Sequence, residues 1–165
     1  MNILVEGPDG CGKSTLIKKI LKEFKDLTLW HLTNKTPDTI EGIKFYDDKV
    51  NCIFDRGILS TYVYSKVFGD TKIPPKEDIQ YVLNKMNVII FCLPSNKQNY
   101  LKHFEKIKSY RKEEYTNMSL VYDEFQKLFN YCFVEYKECW NLDILTPGLD
   151  STKFILKQLK NLRCF

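Results

Sequence analysis

Gly7-Pro8-Asp9-Gly10-Cys11-Gly12-Lys13-Ser14 is the stretch that decides how the rest of this sequence is read. Gly7, Gly12, Lys13 and Ser14 satisfy the pattern G-x-x-x-x-G-K-[ST], and the context matches it. Asn2–Glu6 reads as a short apolar strand running into the loop. Lys13–Lys25 reads as a helix with Leu16, Ile17, Ile20, Leu21 and Phe24 on one face. Glycines let a backbone wrap closely around phosphate oxygens, and a helix N-terminus presents N–H groups and partial positive charge to an anion. Residues 7–15, from Gly7 through Pro8, Asp9, Gly10, Cys11, Gly12, Lys13 and Ser14 to Thr15, are therefore expected to cradle the polyphosphate of a nucleoside triphosphate. Lys13, expected at an exposed helix start, would neutralise the β- and γ-phosphates. The Ser14 hydroxyl would ligate Mg²⁺.

Outward from the loop, strand-like and helix-like segments alternate. Leu27–Leu32, Asn51–Asp55, Asn87–Leu93 and Leu142–Leu145 read as strands. Ile58–Phe68, Lys76–Lys85, Asn96–Lys108, a long stretch from about 118 to 137, and a last segment through Leu162 read as helices. The long stretch carries Val121, Phe125, Leu128, Phe129, Cys132, Phe133 and Tyr136 at intervals of three and four. The last carries Phe154, Ile155, Leu156 and Leu159. This alternation predicts a three-layer α/β P-loop NTPase fold, with a five-stranded parallel sheet flanked by helices. Residues 1–165 are expected to form one domain, with a short acceptor-site region near 33–50 and a lid near 106–116. In such sheets ligands bind beyond the carboxyl ends of the strands, where Glu6, Asp55 and Leu93 fall.

Composition fits that picture. The 165 residues are 44% hydrophobic and 28% charged, with a net charge of +4, a balance usual for a soluble domain. No apolar run is long enough to span a bilayer. No signal sequence is evident at the start, so a cytoplasmic protein is expected. The six cysteines include no C-x-x-C pair, which argues against a zinc site and for reduced thiols. The mild positive charge suits polyphosphate binding without indicating nucleic acid.

Three further groups of residues carry chemistry. Asp9 lies inside the phosphate loop, where an acid would repel phosphates unless it faces the acceptor. Its expected roles are to accept a hydrogen bond from the acceptor and to assist catalysis. Asp55 and Arg56 close the third strand. The acid there can hold Mg²⁺ through water, and the planar fork of Arg56 suits an acceptor phosphate. Arg111, among Lys106, Lys108 and Lys112, is expected to close over the transferring phosphoryl and to stabilise its charge. Tyr64 and Ser60, on the helix after Arg56, are expected to line the acceptor pocket. His31 and His103 have no metal-ligand partners at useful spacing and are read as structural or surface residues.

Glu6-Gly7-Pro8-Asp9-Gly10-Cys11-Gly12-Lys13-Ser14-Thr15-Leu16 resembles the first motif of thymidylate kinases, which also carry an aspartate at the third loop position. Phe54-Asp55-Arg56-Gly57-Ile58-Leu59-Ser60-Thr61-Tyr62-Val63-Tyr64 is similar to the Asp-Arg segment of that family and of related phage deoxynucleotide kinases. Tyr110-Arg111-Lys112-Glu113-Glu114-Tyr115, before a helix containing Tyr122, resembles the arginine-bearing lid. The resemblance implies an ATP- and Mg²⁺-dependent phosphotransferase with a nucleotide-type acceptor, thymidylate-like, and is compatible with a homodimer. The loop Thr33-Asn34-Lys35-Thr36-Pro37-Asp38-Thr39 departs from the family pattern. It lacks the usual arginine and glutamate, with Lys35 standing in for the arginine. Phe45 or Tyr46 would supply the aromatic against the base, if one is present. Because of this departure, a kinase for a deoxynucleoside or for a hydroxymethyl-pyrimidine in phage DNA is an alternative. Only that alternative admits nucleic acid as a partner. From another class, a GTPase-like switch or a nucleotide-binding regulatory protein would share the loop. Asn96-Lys97-Gln98-Asn99, however, lacks the aspartate of N-K-x-D.

Overall fold

The computed structural model describes residues 1–32, 43–69, 73–107, 112–143 and 151–163. Strand β1 (Ile3–Glu6) is buried along its whole length because it stands at the centre of a parallel sheet covered by helices. β3 (Cys52–Asp55) and β4 (Val88–Cys92) flank it and are also buried throughout. β2 (Thr28–His31) forms one edge with a half-exposed pattern, and β5 (Cys139–Leu142) forms the other. The order is β2-β3-β1-β4-β5, every pair parallel. This is the expected five-stranded sheet.

Six helices flank the sheet among the described residues: α1 (Lys13–Glu23), α2 (Ile58–Phe68), α3 (Lys76–Asn84), α4 (Lys97–Ile107), α5 (Lys112–Glu135) and α6 (Ser151–Arg163). In α1 the spacing of Leu16, Ile17 and Ile20 buries one face against β1 and β3, while Lys18 and Lys19 stay in solvent. α6 packs on α1 and β5, tied by the bidentate pair of Arg163 with Asp26 at 2.6 and 2.9 Å. α2 and α4 both pack against α5. None of the helices is long and apolar enough to cross a membrane, among the described residues.

Within the secondary-structure elements, the structure departs from the sequence reading at two places. The last strand is Cys139–Leu142 rather than 142–145. The Asn141 amide ties this segment to the end of β4, its Oδ1 accepting from Leu93 N at 3.1 Å and its Nδ2 donating to Leu93 O at 3.0 Å. Two supposed core aromatics point outward: Phe133 is 64% and Phe154 55% exposed, because one apolar residue per stripe exceeds the width of the buried face. The expected lid at 106–116 is helical at both ends, with α4 running to Ile107 and α5 beginning at Lys112. Arg111 itself and Lys35 lie outside the described residues.

Candidate active site

The carboxyl edge of the sheet holds the site. As β1 ends, Gly7 takes φ +138° and Gly10 and Gly12 take φ +74° and +91°, conformations that turn the chain tightly between β1 and α1. No side chain caps the helix N-terminus, which leaves its first N–H groups to an anion. Lys13 is buried rather than at an exposed helix start. Its Nζ donates to Gly7 O at 2.7 Å and to Pro8 O at 2.6 Å, and lies 3.6 Å from Cys11 Sγ. The ammonium is thus held inside the loop by the loop's own carbonyls. Ser14 and Thr15 are exposed at the start of α1.

The loop is anchored from behind by residues the motif does not contain. Tyr100, fully buried on α4, donates its hydroxyl to Asp9 O at 2.8 Å. It stacks on Tyr122 of α5 at 5.5 Å, and Tyr122 in turn donates to Pro94 O. Cys11 and Cys92 are buried against each other. Burial raises the Cys11 pKa, but the hydrogen bond with Cys92 and the Lys13 ammonium outweigh it and bring it down to about 7. Only a buried tyrosine at helical spacing from the loop's neighbours would have hinted at this support in the sequence.

β1 and β3 bring together residues 47 apart in sequence. Arg56 donates through Nη2 to Asp9 Oδ1, and its guanidinium lies over the Tyr64 ring at 5.5 Å. Burial opposes the charge on Arg56, but Asp9, Tyr64, Glu6 and Asp55 together outweigh it and raise the pKa above the usual arginine value. Arg56 holds φ +68°, uncommon for a residue with a side chain, with its N–H bonded to Val5 O at 3.0 Å. A strained residue at a strand end points to a functional position. The Tyr64 hydroxyl is buried without a hydrogen-bond partner, and burial followed by the Asp9 charge raises its pKa. Asp55 accepts from His31 Nδ1 at 2.9 Å through Oδ2, while its buried Oδ1 has no partner among the described residues. His31, read as a structural or surface residue, is exposed, and the structure also places its ring against the candidate metal ligand.

Ser60 and the two candidate base-facing aromatics, Phe45 and Tyr46, lie elsewhere. Ser60 is buried and gives its hydroxyl to Glu6, so it secures the start of α2 rather than lining a pocket. Tyr46 packs on Phe54 in the core, and Phe45 is wedged edge-on between Trp30 and Phe54 beneath Lys49.

Glu6 is the buried acid of this region. Burial raises its pKa to about 7, against the opposing pull of Ser60, Lys13 and Arg56. In the unfolded chain it would titrate near 4.5, so between these values the folded state holds a proton that the unfolded state has released. Its contribution to stability is therefore fully present below 4.5 and lost as pH rises through about 7. The loss amounts to about 3 kcal/mol at most, at about 1.4 kcal/mol per unit. Glu6→Gln keeps an acceptor for Ser60 and removes the titration. Denaturant unfolding across this range should show wild-type stability falling with rising pH and the variant's profile flatter. Identical slopes would mean that Glu6 is not protonated in the fold.

A phosphate loop after the central strand of a β2-β3-β1-β4-β5 sheet, with an acid–arginine pair closing the neighbouring strand, places the chain in the P-loop NTPase fold. Solved structures bear this out. The YorR protein of Bacillus subtilis, in complex with phosphorylated GDP, matches 98% of this chain and 95% of its own with a TM-score of 0.76 at 21% identity. Deoxyadenosine kinase from M. mycoides with bound dCTP matches 98% of this chain and 100% of its own (TM-score 0.65, 17% identity). The same enzyme with bound dATP gives a TM-score of 0.62 at 15% identity over 97% of this chain and 99% of its own. In sequence, the chain is 32% identical over 89 residues to the SPbeta prophage-derived uncharacterized protein YorR of Bacillus subtilis (strain 168). That match takes in 51% of this chain and 54% of the relative, about half the length of each. No protein-family model matches the sequence.

Proposed function

We propose that this protein is a Mg²⁺-dependent kinase that transfers the γ-phosphoryl group of ATP to a deoxynucleoside monophosphate, thymidylate-like in type. The observation that carries the reading is the position of Arg56: its guanidinium is fixed by Asp9 and Tyr64 beside the phosphate loop. One nitrogen is taken by Asp9, and the rest of the fork remains for an acceptor phosphate. The deoxyadenosine kinases that share the fold support a nucleoside-type acceptor.

The residues present fit a magnesium ion. Asp55 has a buried oxygen without a partner among the described residues, Ser14 offers a hydroxyl at the start of α1, and the nucleotide's phosphates would complete the shell. When bound, Mg²⁺ would neutralise charge on the β- and γ-phosphates. Ser14 and Asp55 would hold it. Lys13 would exchange the loop carbonyls for phosphate oxygens, the loop amides would orient the triphosphate, and Arg56 would bring the acceptor in line. Asp9 would accept a hydrogen bond from the acceptor, and Arg111 would close from the segment between α4 and α5.

The charge balance favours a second reading. Asp9 already offsets the charge of Arg56, which suits a neutral deoxynucleoside hydroxyl better than a bare arginine would. Arg56→Ala separates the two. With a monophosphate acceptor it should raise the acceptor KM about a hundredfold, as expected for loss of a charged hydrogen bond worth about 1.5–3 kcal/mol, while the ATP KM stays within about twofold. Arg56→Lys should recover only part. An equal rise in both KM values would place Arg56 on the donor side and contradict the proposal.

A further inference from the structure

The His31–Asp55 pair is the contact at this edge that the proposed transfer does not use. Parallel register sets it up: His31 stands opposite Asp55 at the carboxyl ends of β2 and β3, and opposed side chains in a parallel pair leave the same face. The backbone closes the pair, with Leu32 N bonded to Asp55 O at 3.1 Å. The imidazole then reaches the carboxylate at 2.9 Å, its Nδ1–H donating to Oδ2. The donation needs no charge, since the neutral tautomer protonated at Nδ1 supplies it. The carboxylate is nearly buried, whereas the His31 side chain is 59% exposed. The histidine therefore adds little packing; its contribution here is the one hydrogen bond.

We infer that His31 is a positioning residue that pins Oδ2 of Asp55 and so leaves Oδ1 to the metal, an inference that rests on the proposed role of Asp55. Without His31, neither oxygen of this carboxylate would have a hydrogen-bond partner among the described residues. The positive group nearest in sequence is Arg56, on which Asp55 already acts electrostatically. A released carboxylate would swing toward that guanidinium and compete with Asp9 for it. His31 thus keeps two neighbouring acids on separate tasks, Asp55 on the metal and Asp9 on Arg56. The same logic governs outer partners of metal ligands in general, whose removal lowers metal affinity about 10–100-fold.

The test is Mn²⁺ binding, followed through the resonance signal of the free ion in the presence of a non-hydrolysable ATP analogue. Wild type, His31→Ala, His31→Asn, Asp55→Asn and the double variant His31→Ala/Asp55→Asn are compared, with melting temperature as a control. Asp55→Asn and His31→Ala should each weaken Mn²⁺ binding about tenfold. His31→Asn, whose amide can still donate, should restore most of it. The double variant should bind no more weakly than Asp55→Asn alone, because both changes act through one carboxylate. Melting temperatures serve to show that each variant is folded under the binding conditions; His31→Ala should melt somewhat lower than wild type, because the buried carboxylate loses a hydrogen bond. If Asp55→Asn weakens binding and His31→Ala does not, or if the two losses add, the positioning role is overturned while the metal assignment stands. If neither single change weakens binding, the metal assignment fails and the inference fails with it.

Discussion

Lys13→Ala is expected to lower the rate of phosphoryl transfer by about 10²–10³-fold, the range seen when one preorganised stabiliser of transition-state charge is lost. The effect should be mainly on kcat, because the ammonium counts most when charge shifts on the transferring group. The structure adds a second consequence that the motif alone does not disclose. Lys13 is buried and bonds two loop carbonyls, at 2.7 Å to Gly7 O and 2.6 Å to Pro8 O. Alanine leaves both without that donor, so the variant should also lose about 1–3 kcal/mol of stability. Single-turnover transfer and denaturant unfolding on the same samples separate the two effects. A variant with near-native turnover would remove Lys13 from the chemistry, and native stability would show that the carbonyls find other donors.

Gly7→Ala should be more disruptive than its size suggests. A Cβ at Gly7 would lie 2.4 Å from Cys92 O and 3.1 Å from Cys11 Sγ, on a residue at φ +138°. Cys92 O belongs to the end of β4 beside the central strand and cannot swing aside as a side chain does. Either the phosphate loop lifts off the sheet or β4 shifts. The strained backbone adds about 1–3 kcal/mol to that. Binding of a non-hydrolysable ATP analogue should fall below detection, and the unfolding midpoint should drop. Gly69→Ala is the matched control. Gly69 also has positive φ, +72°, but open space around it, so alanine there should cost only about 1 kcal/mol and leave nucleotide binding intact. Equal behaviour of the two variants would mean that the Cys92 carbonyl is not the obstacle.

The parts of this architecture that were legible in the sequence are those written in local pattern. The glycine loop between an apolar strand and an amphipathic helix announced itself because its geometry is made within a dozen residues. The buried strands did so because continuous apolar runs are what a doubly covered parallel sheet needs. Pairings across the sheet were only half legible. Asp9 and Arg56 were each singled out, but their ion pair depends on β1 and β3 being neighbours, which no local pattern states. The His31–Asp55 bond was missed for the same reason, since register alone brings the two together. Ser60 was misread because a hydroxyl on a helix beside the site looks the same whether it faces the pocket or the buried Glu6. β5 was displaced by three residues; its tie to the end of β4, the Asn141 amide on the Leu93 backbone, is again a contact across the sheet.

The central claim is phosphoryl transfer to a nucleotide-type acceptor. It is tested most directly by incubating the purified protein with Mg²⁺, ATP labelled in its γ-phosphate, and a panel of deoxynucleosides and deoxynucleoside monophosphates. Label should appear in a deoxynucleoside diphosphate, strongest with a thymidylate-like acceptor and absent with Lys13→Ala. Label found in deoxynucleoside monophosphates instead would move the acceptor to a sugar hydroxyl, and release of inorganic phosphate with no labelled acceptor anywhere in the panel would contradict the account.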